Sequence, residues 1–276
     1  MSAAYSWVPK ASCDVGCVTA GAADAGHRVV VALRVTARAT FAVLLLAAAP
    51  LLALPAPGRS HVQRRYCRLM LRCLGVRITL SGRPIRNLQG VLVVSHHVSW
   101  VDIFTIGAVM PGRFVAKAEL ISWPGLELLA RLMKVIPIER DNLRRLPEVV
   151  RTVAERLSIG QTVVAFPEGT TYCGLAYGQF RPAMFQAAVD SGRPVQPLRL
   201  TYHHRDGRPS TVAAYVGDDT LLASIRRLIT ARRTVARVHV ESLQLPGTDR
   251  RELAARCAVA VRGQTVRPSP GHALAA

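Results

Sequence analysis

"GVLVVSHHVSWVDIFTIGAV", residues 90–109, decides the fold. Its first half, Gly90 to His96, is a short apolar run rich in β-branched residues, the composition of a strand buried on both faces. Its second half turns helical, with Ser99 as a natural N-cap and Asp102 three residues on. A buried strand running directly into a helix is the repeating unit of a layered α/β domain. His96 and His97 fall at the carboxyl end of the strand, where such sheets place their active sites.

Ser-x-x-Asp is close to a capping box, so Asp102 has a plain structural use at a helix N-terminus. That use leaves the histidine unexplained. On one continuous helix, His97 and Asp102 would point about 140° apart. With His97 ahead of the helix and Asp102 in its first turn, the imidazole can fold back over the carboxylate. Asp102 would then hold one ring nitrogen and leave the other to take a proton. This is the base and orienter of a catalytic triad without its serine; such a pair needs a nucleophile from outside, and a substrate hydroxyl is the obvious candidate.

The alternation continues outward. Strands are predicted at 76–82, 90–96, 113–118, 134–139, 162–167, 194–202, 211–217 and 234–242. Helices are predicted at about 99–110, 124–133, 143–158, 182–191, 219–231 and 248–262. The expectation is an α/β domain over 83–263, with a largely parallel or mixed central sheet flanked by helices. A second buried strand, in "TVVAFPEGTTYCG" (162–174), ends at Glu168, Gly169 and Thr170. Gly169 permits a tight turn whose N–H groups can face an anion. A carboxylate such as Glu168 is costly there unless it bonds or positions something. An ordinary strand-to-loop turn is the plainer alternative. Lys117, Glu119 and Arg140 lie at further strand ends; Arg140 suits bidentate phosphate recognition or a scaffold pair with Glu119 or Glu139.

Residues 1–26 lack a sustained apolar period and read as a disordered head, without the pattern of a signal peptide. Residues 27–82 read as a membrane-interacting helical hairpin. The uninterrupted apolar part of its first helix, Ala39 to Leu54, contains Pro50 and falls short of the about 20 residues of a full span. A second helix is expected at about 61–74, with arginines of both helices at headgroup level. A single complete span and a helix packed on the protein's own core are the alternatives. Residues 264–276 read as a disordered tail.

Half of the 276 residues are apolar and the net charge is +19, which excludes a disordered polar chain and points to a polyanionic partner. Aromatics make up only 5%, too few for base stacking, so an anionic membrane surface is favoured over nucleic acid. The six cysteines are scattered, as for unpaired thiols of a reducing compartment. With no H-E-x-x-H and no Cys/His set of metal spacing, no metal is expected.

"HHVSWVD" resembles the H-x(4)-D signature of the glycerolipid acyltransferase superfamily, and "FPEGT" is similar to its second hallmark. "KAEL", "PIER" and "PVQPLRL" resemble the intervening and closing blocks, over about residues 75–205. The resemblance implies acyl transfer from acyl-CoA or acyl carrier protein to a lysolipid hydroxyl, with no cofactor beyond that co-substrate. His97 would be the general base and Asp102 its orienter. Glu168, Gly169, Thr170, Arg140 and Lys117 would bind substrate. The enzyme would sit on the cytoplasmic face of the cell membrane, monotopic or single-span. Two positions depart from the family pattern. His96 stands where Asn is usual, and Thr171 stands where the phosphatidate-forming enzymes carry a phosphate-gripping Arg. Thr171, with the later "FRPAMFQAA", looks more like the branch acylating lyso-ornithine lipids; Arg181 is a candidate replacement cation. Rival readings are a non-enzymatic basic membrane-binding protein on a degenerate acyltransferase fold, a hydrolase using Cys173, and a nucleic-acid binder.

Overall fold

The structure, a computed structural model, describes residues 9, 11–18, 28–50, 58–82, 85, 88–118, 134–139 and 142–263. The expected helix at 124–133 and tail at 264–276 lie outside them, as do Glu119 and Arg140. Seven strands are present among the described residues: β1 (Val76–Ser81), β2 (Leu92–Ser95), β3 (Arg113–Lys117), β4 (Ile136–Ile138), β5 (Val163–Ala165), β6 (Val195–His204) and β7 (Thr234–Val240). They form one sheet in the order β1-β7-β6-β2-β5-β3-β4. All neighbours are parallel except β6 and β7, so the sheet is mixed, as the sequence led us to expect. Every residue of β2 and of β5 is buried, which is what their continuous Val/Leu runs demand, whereas edge strand β1 buries only Val76.

Helices α3 (Val101–Gly107), α4 (Leu146–Ser158), α5 (Phe185–Ser191), α6 (Leu221–Thr230) and α7 (Arg250–Arg262) flank the sheet. One apolar cluster joins Phe104, Ile106, Phe114, Leu198 and Leu200; a second, on Leu92, Val163, Leu157, Phe185 and Leu253, includes buried residues of α4, α5 and α7.

Three expectations change. The run 211–217 is not a strand, although Val212, Ala213, Ala214 and Val216 are buried. Its carbonyls are satisfied by a side chain instead of a ladder: Arg227 donates to Val212 O at 3.0 Å and to Ala214 O at 2.6 Å. The domain also begins before residue 83, because β1 pairs with β7 throughout and the preceding helix buries Tyr66, Cys67, Met70 and Leu71. That helix, α2 (Arg59–Cys73), thus packs one face on the domain core, and its Tyr66 hydroxyl donates to Leu45 O of the preceding helix at 3.2 Å. Finally, part of the expected disordered head is ordered: a 3-10 turn spans Val15–Cys17 and Cys13 is buried.

Helix α1 (Arg28–Ala47) starts well before Ala39 and has 20 residues, about 30 Å, none of them buried. Val29, Val30, Leu33, Phe41, Val43, Leu44 and Leu46 are exposed on it. Arg34 and Arg38 point to the domain. Arg34 donates to Thr230 O (3.1 Å), and Arg38 donates to Ile229 O, Ala231 O and Arg232 O (2.7, 2.6 and 2.9 Å). Both thus cap carbonyls at the end of α6, a favourable place for cations.

Candidate active site

Parallel β2 and β5 end at the same edge of the sheet, and the two sequence motifs follow them there. The loop 96–99 leaves β2 without a ladder partner, yet its backbone is held on every side. His97 N–H donates to Glu168 Oε2 (2.9 Å), and the N–H groups of Val98 and Ser99 donate to Asp102 Oδ2 (2.7 and 2.9 Å). In return, the His97 carbonyl accepts from Tyr172 N (2.8 Å) and the Val98 carbonyl from Tyr215 N (3.0 Å).

The Ser99–Asp102 pair settles both uses in one carboxylate. Reaching back to Ser99 N–H is the N3 half of a capping box, and the same Oδ2 lies 2.9 Å from His97 Nδ1. Since Oδ2 is a carboxylate oxygen already accepting two backbone N–H groups, His97 Nδ1 is the donor and Nε2 carries the lone pair. The ring stacks on Phe166, with centroids 4.0 Å apart and planes at 14°, and its side chain keeps 15% exposure while that of Asp102 has none. The ring is therefore fixed in orientation while part of the side chain stays exposed.

Tyr202, on β6, completes the pair and was not singled out in the sequence. Its hydroxyl donates to Asp102 Oδ1 at 2.7 Å. Burial first, and then the Asp102 carboxylate, push the Tyr202 hydroxyl well above the ordinary phenol value, so it stays a donor at all working pH.

Glu168 has no exposed side-chain surface. Its Oε1 accepts from Gly178 N (2.9 Å) and lies 2.8 Å from His96 Nδ1, while Oε2 holds His97 N–H. In this structure it fastens the two motifs together. His96, where Asn was expected, supplies the second side of that clamp, packed against the Tyr177 ring at 4.2 Å. Gly169 has φ +73, and a Cβ there would lie 2.8 Å from Pro9 Cγ, so both conformation and space require glycine. Gly169 and Thr170 are half-buried at the strand end. Lys117 closes β3 at the same sheet edge, two strands away from β2. Thr171 turns inward and donates from Oγ1 to Tyr215 O at 2.5 Å. Cys173 is fully buried, with its N–H donating to Cys13 Sγ (3.4 Å), and so does not present a nucleophile.

A family profile described as Acyltransferase matches residues 77–201. The lyso-ornithine lipid O-acyltransferase of Pseudomonas aeruginosa is 36% identical over 210 residues, which are 75% of this chain and 79% of that protein. The 1-acyl-sn-glycerol-3-phosphate acyltransferase of Neisseria meningitidis is 37% identical over 158 residues, 57% of this chain and 62% of that one. In fold, the crystal structure of the Thermotoga maritima acyltransferase PlsC is similar, with a TM-score of 0.62 at 20% identity, over 85% of this chain and 95% of that one. By sequence and by fold the chain belongs to the acyltransferase family, and it is an acyltransferase of lysolipids.

Proposed function

We propose that the chain transfers an acyl group from a thioester, acyl-CoA or acyl carrier protein, to the hydroxyl of a lyso-ornithine lipid. His97 Nε2 removes the hydroxyl proton as the oxygen attacks the thioester carbonyl. A C–O bond forms, the C–S bond breaks, and the imidazolium returns its proton to the departing thiolate. Asp102, anchored by Tyr202, keeps the proton on Nδ1 and stabilises the imidazolium. A thioester is reactive enough that a positioned base and an oriented hydroxyl supply the main catalysis. The reaction as drawn needs no metal or cofactor.

One observation carries the choice of acceptor. Thr171 replaces the cation expected of phosphatidate-forming enzymes, and its hydroxyl is committed to Tyr215 O. The loop thus offers no guanidinium from that position to a phosphate. The similarity to the Pseudomonas lyso-ornithine lipid enzyme points the same way.

Membrane association belongs to the same proposal. Helix α1 is long enough to cross a bilayer and exposes its apolar residues, while Arg34 and Arg38 fix it to α6. The net charge of +19 favours an anionic leaflet, and we place the enzyme at the cytoplasmic face. The test is thiol release from acyl-CoA with lyso-ornithine lipid and lysophosphatidate side by side. Turnover with the first and little with the second is expected; the reverse order would overturn the acceptor assignment.

A further inference from the structure

Three cysteines that look unrelated in the sequence lie together. Cys13 and Cys17 bracket the turn near the N-terminus, and Cys173 lies in the loop that follows Thr170. Their Sγ atoms are all within 4.8 Å of one another. Cys13 and Cys173 are buried and Cys17 is half-buried.

The cluster is built by packing of the backbone. Pro9 lies against Gly169, and Asp14 against Gly217, where a Cβ would come within 3.2 Å of the Asp14 Cα. Gly217 has φ +59, so it combines the conformation and the bareness that this close approach needs. The Cys173 N–H points to Cys13 Sγ at 3.4 Å, a contact that also suits a metal-bound thiolate, whose charge outer hydrogen bonds support. Pro9 and the segment 11–18 are thus laid across the active-site loop, where the three sulfurs meet.

We propose that Cys13, Cys17 and Cys173 form a three-thiolate site for a thiophilic cation of the Zn²⁺ class, which fastens the N-terminal segment to the active-site loop. Zn–S bonds of about 2.3 Å set sulfurs of a tetrahedral site roughly 3.8 Å apart. The cluster therefore needs a contraction of no more than about 1 Å to receive the ion. Sulfur-only donors select a soft cation over Mg²⁺ or Ca²⁺. Binding releases the thiol protons to solvent. No His, Asp or Glu joins the set among the described residues, and the half-buried side at Cys17 leaves room for water as the fourth ligand. The site is separate from the proposed acyl transfer, but it reaches it through the chain: Cys173 follows Tyr172, whose N–H holds the His97 carbonyl.

The full chain in detergent micelles, reduced and stripped with a chelator, is titrated with Co²⁺ and then Zn²⁺. Expected are one Co²⁺ per chain, the thiolate-to-cobalt charge-transfer band with tetrahedral visible bands, and displacement by Zn²⁺. Cys17→Ser sits at a half-buried turn and leaves the core intact; it should weaken Co²⁺ binding at least as much as losing a supporting residue does, about 10–100-fold. Cys73→Ser should change nothing. Zn²⁺ should also raise the melting temperature of the wild type and not of Cys17→Ser. A folded protein without the thiolate band overturns the proposal, as does a band that survives Cys17→Ser. A Cys13–Cys173 disulfide in protein isolated without reductant would overturn it too.

Discussion

Tyr202 and Asp102, one hundred residues apart, share a hydrogen bond of 2.7 Å that ties the Asp102 carboxylate to the sheet. Parallel pairing of β2 with β6, through Val94 with Pro197 and Ser95 with Leu198, brings them together. Three donors meet Asp102 Oδ2, and Tyr202 is the partner of Oδ1. Tyr202→Phe should leave that oxygen buried and unpaired. A hydrogen bond to a charged group contributes about 1.5–3 kcal/mol, so turnover should fall by about tenfold or more. Steady-state thiol release at saturating acyl donor checks it.

Glu168→Gln should separate positioning from substrate binding. The amide replaces one oxygen by an NH2, which must then face either His97 N–H or the Gly178 N–H and His96 side. A buried donor facing a donor costs about 1–3 kcal/mol. The expected outcome is a lower melting temperature and a lower kcat at unchanged KM for the acceptor. A rise in KM alone would mean that the carboxylate contacts the lysolipid.

The local half of the site was legible in the sequence, and the distant half was not. His97 and Asp102 are five apart at a strand-to-helix turn, so their meeting follows from local geometry. Tyr202 and Tyr215 reach the site through strand order and loop packing, for which a single sequence carries no signal. The run 211–217 misled because burial, not pairing, explains its apolar content; Arg227 satisfies carbonyls that a ladder would otherwise take. Helix α2 was legible as a helix but its buried face was not, since arginines interleaved with apolar residues suit both a headgroup layer and a half-buried scaffold helix.

Thr171→Arg tests the acceptor pocket. It removes the Thr171–Tyr215 hydrogen bond, a loss of about 1 kcal/mol, and returns a guanidinium to the loop. Turnover with lysophosphatidate should rise relative to lyso-ornithine lipid in paired assays. An unchanged ratio would place the head-group choice elsewhere.

Stability should fall at alkaline pH in part through Cys257. Burial raises its thiol from 9.0 to about 12. Between these values the unfolded chain has lost a proton that the folded chain keeps, so raising the pH favours unfolding. Each such group contributes about 1.4 kcal/mol per pH unit. Cys257→Ala should make the decline from pH 9 to 12 shallower by that amount, read from urea midpoints in detergent. Only the slope is diagnostic, because removing a buried side chain also lowers the baseline.

The most direct measurement is thiol release by His97→Ala, with folding checked by its melting curve. Loss of the general base should reduce turnover by about 10²–10⁴-fold while the protein stays folded. A folded His97→Ala protein with turnover close to wild type would contradict the role of His97 as the catalytic base.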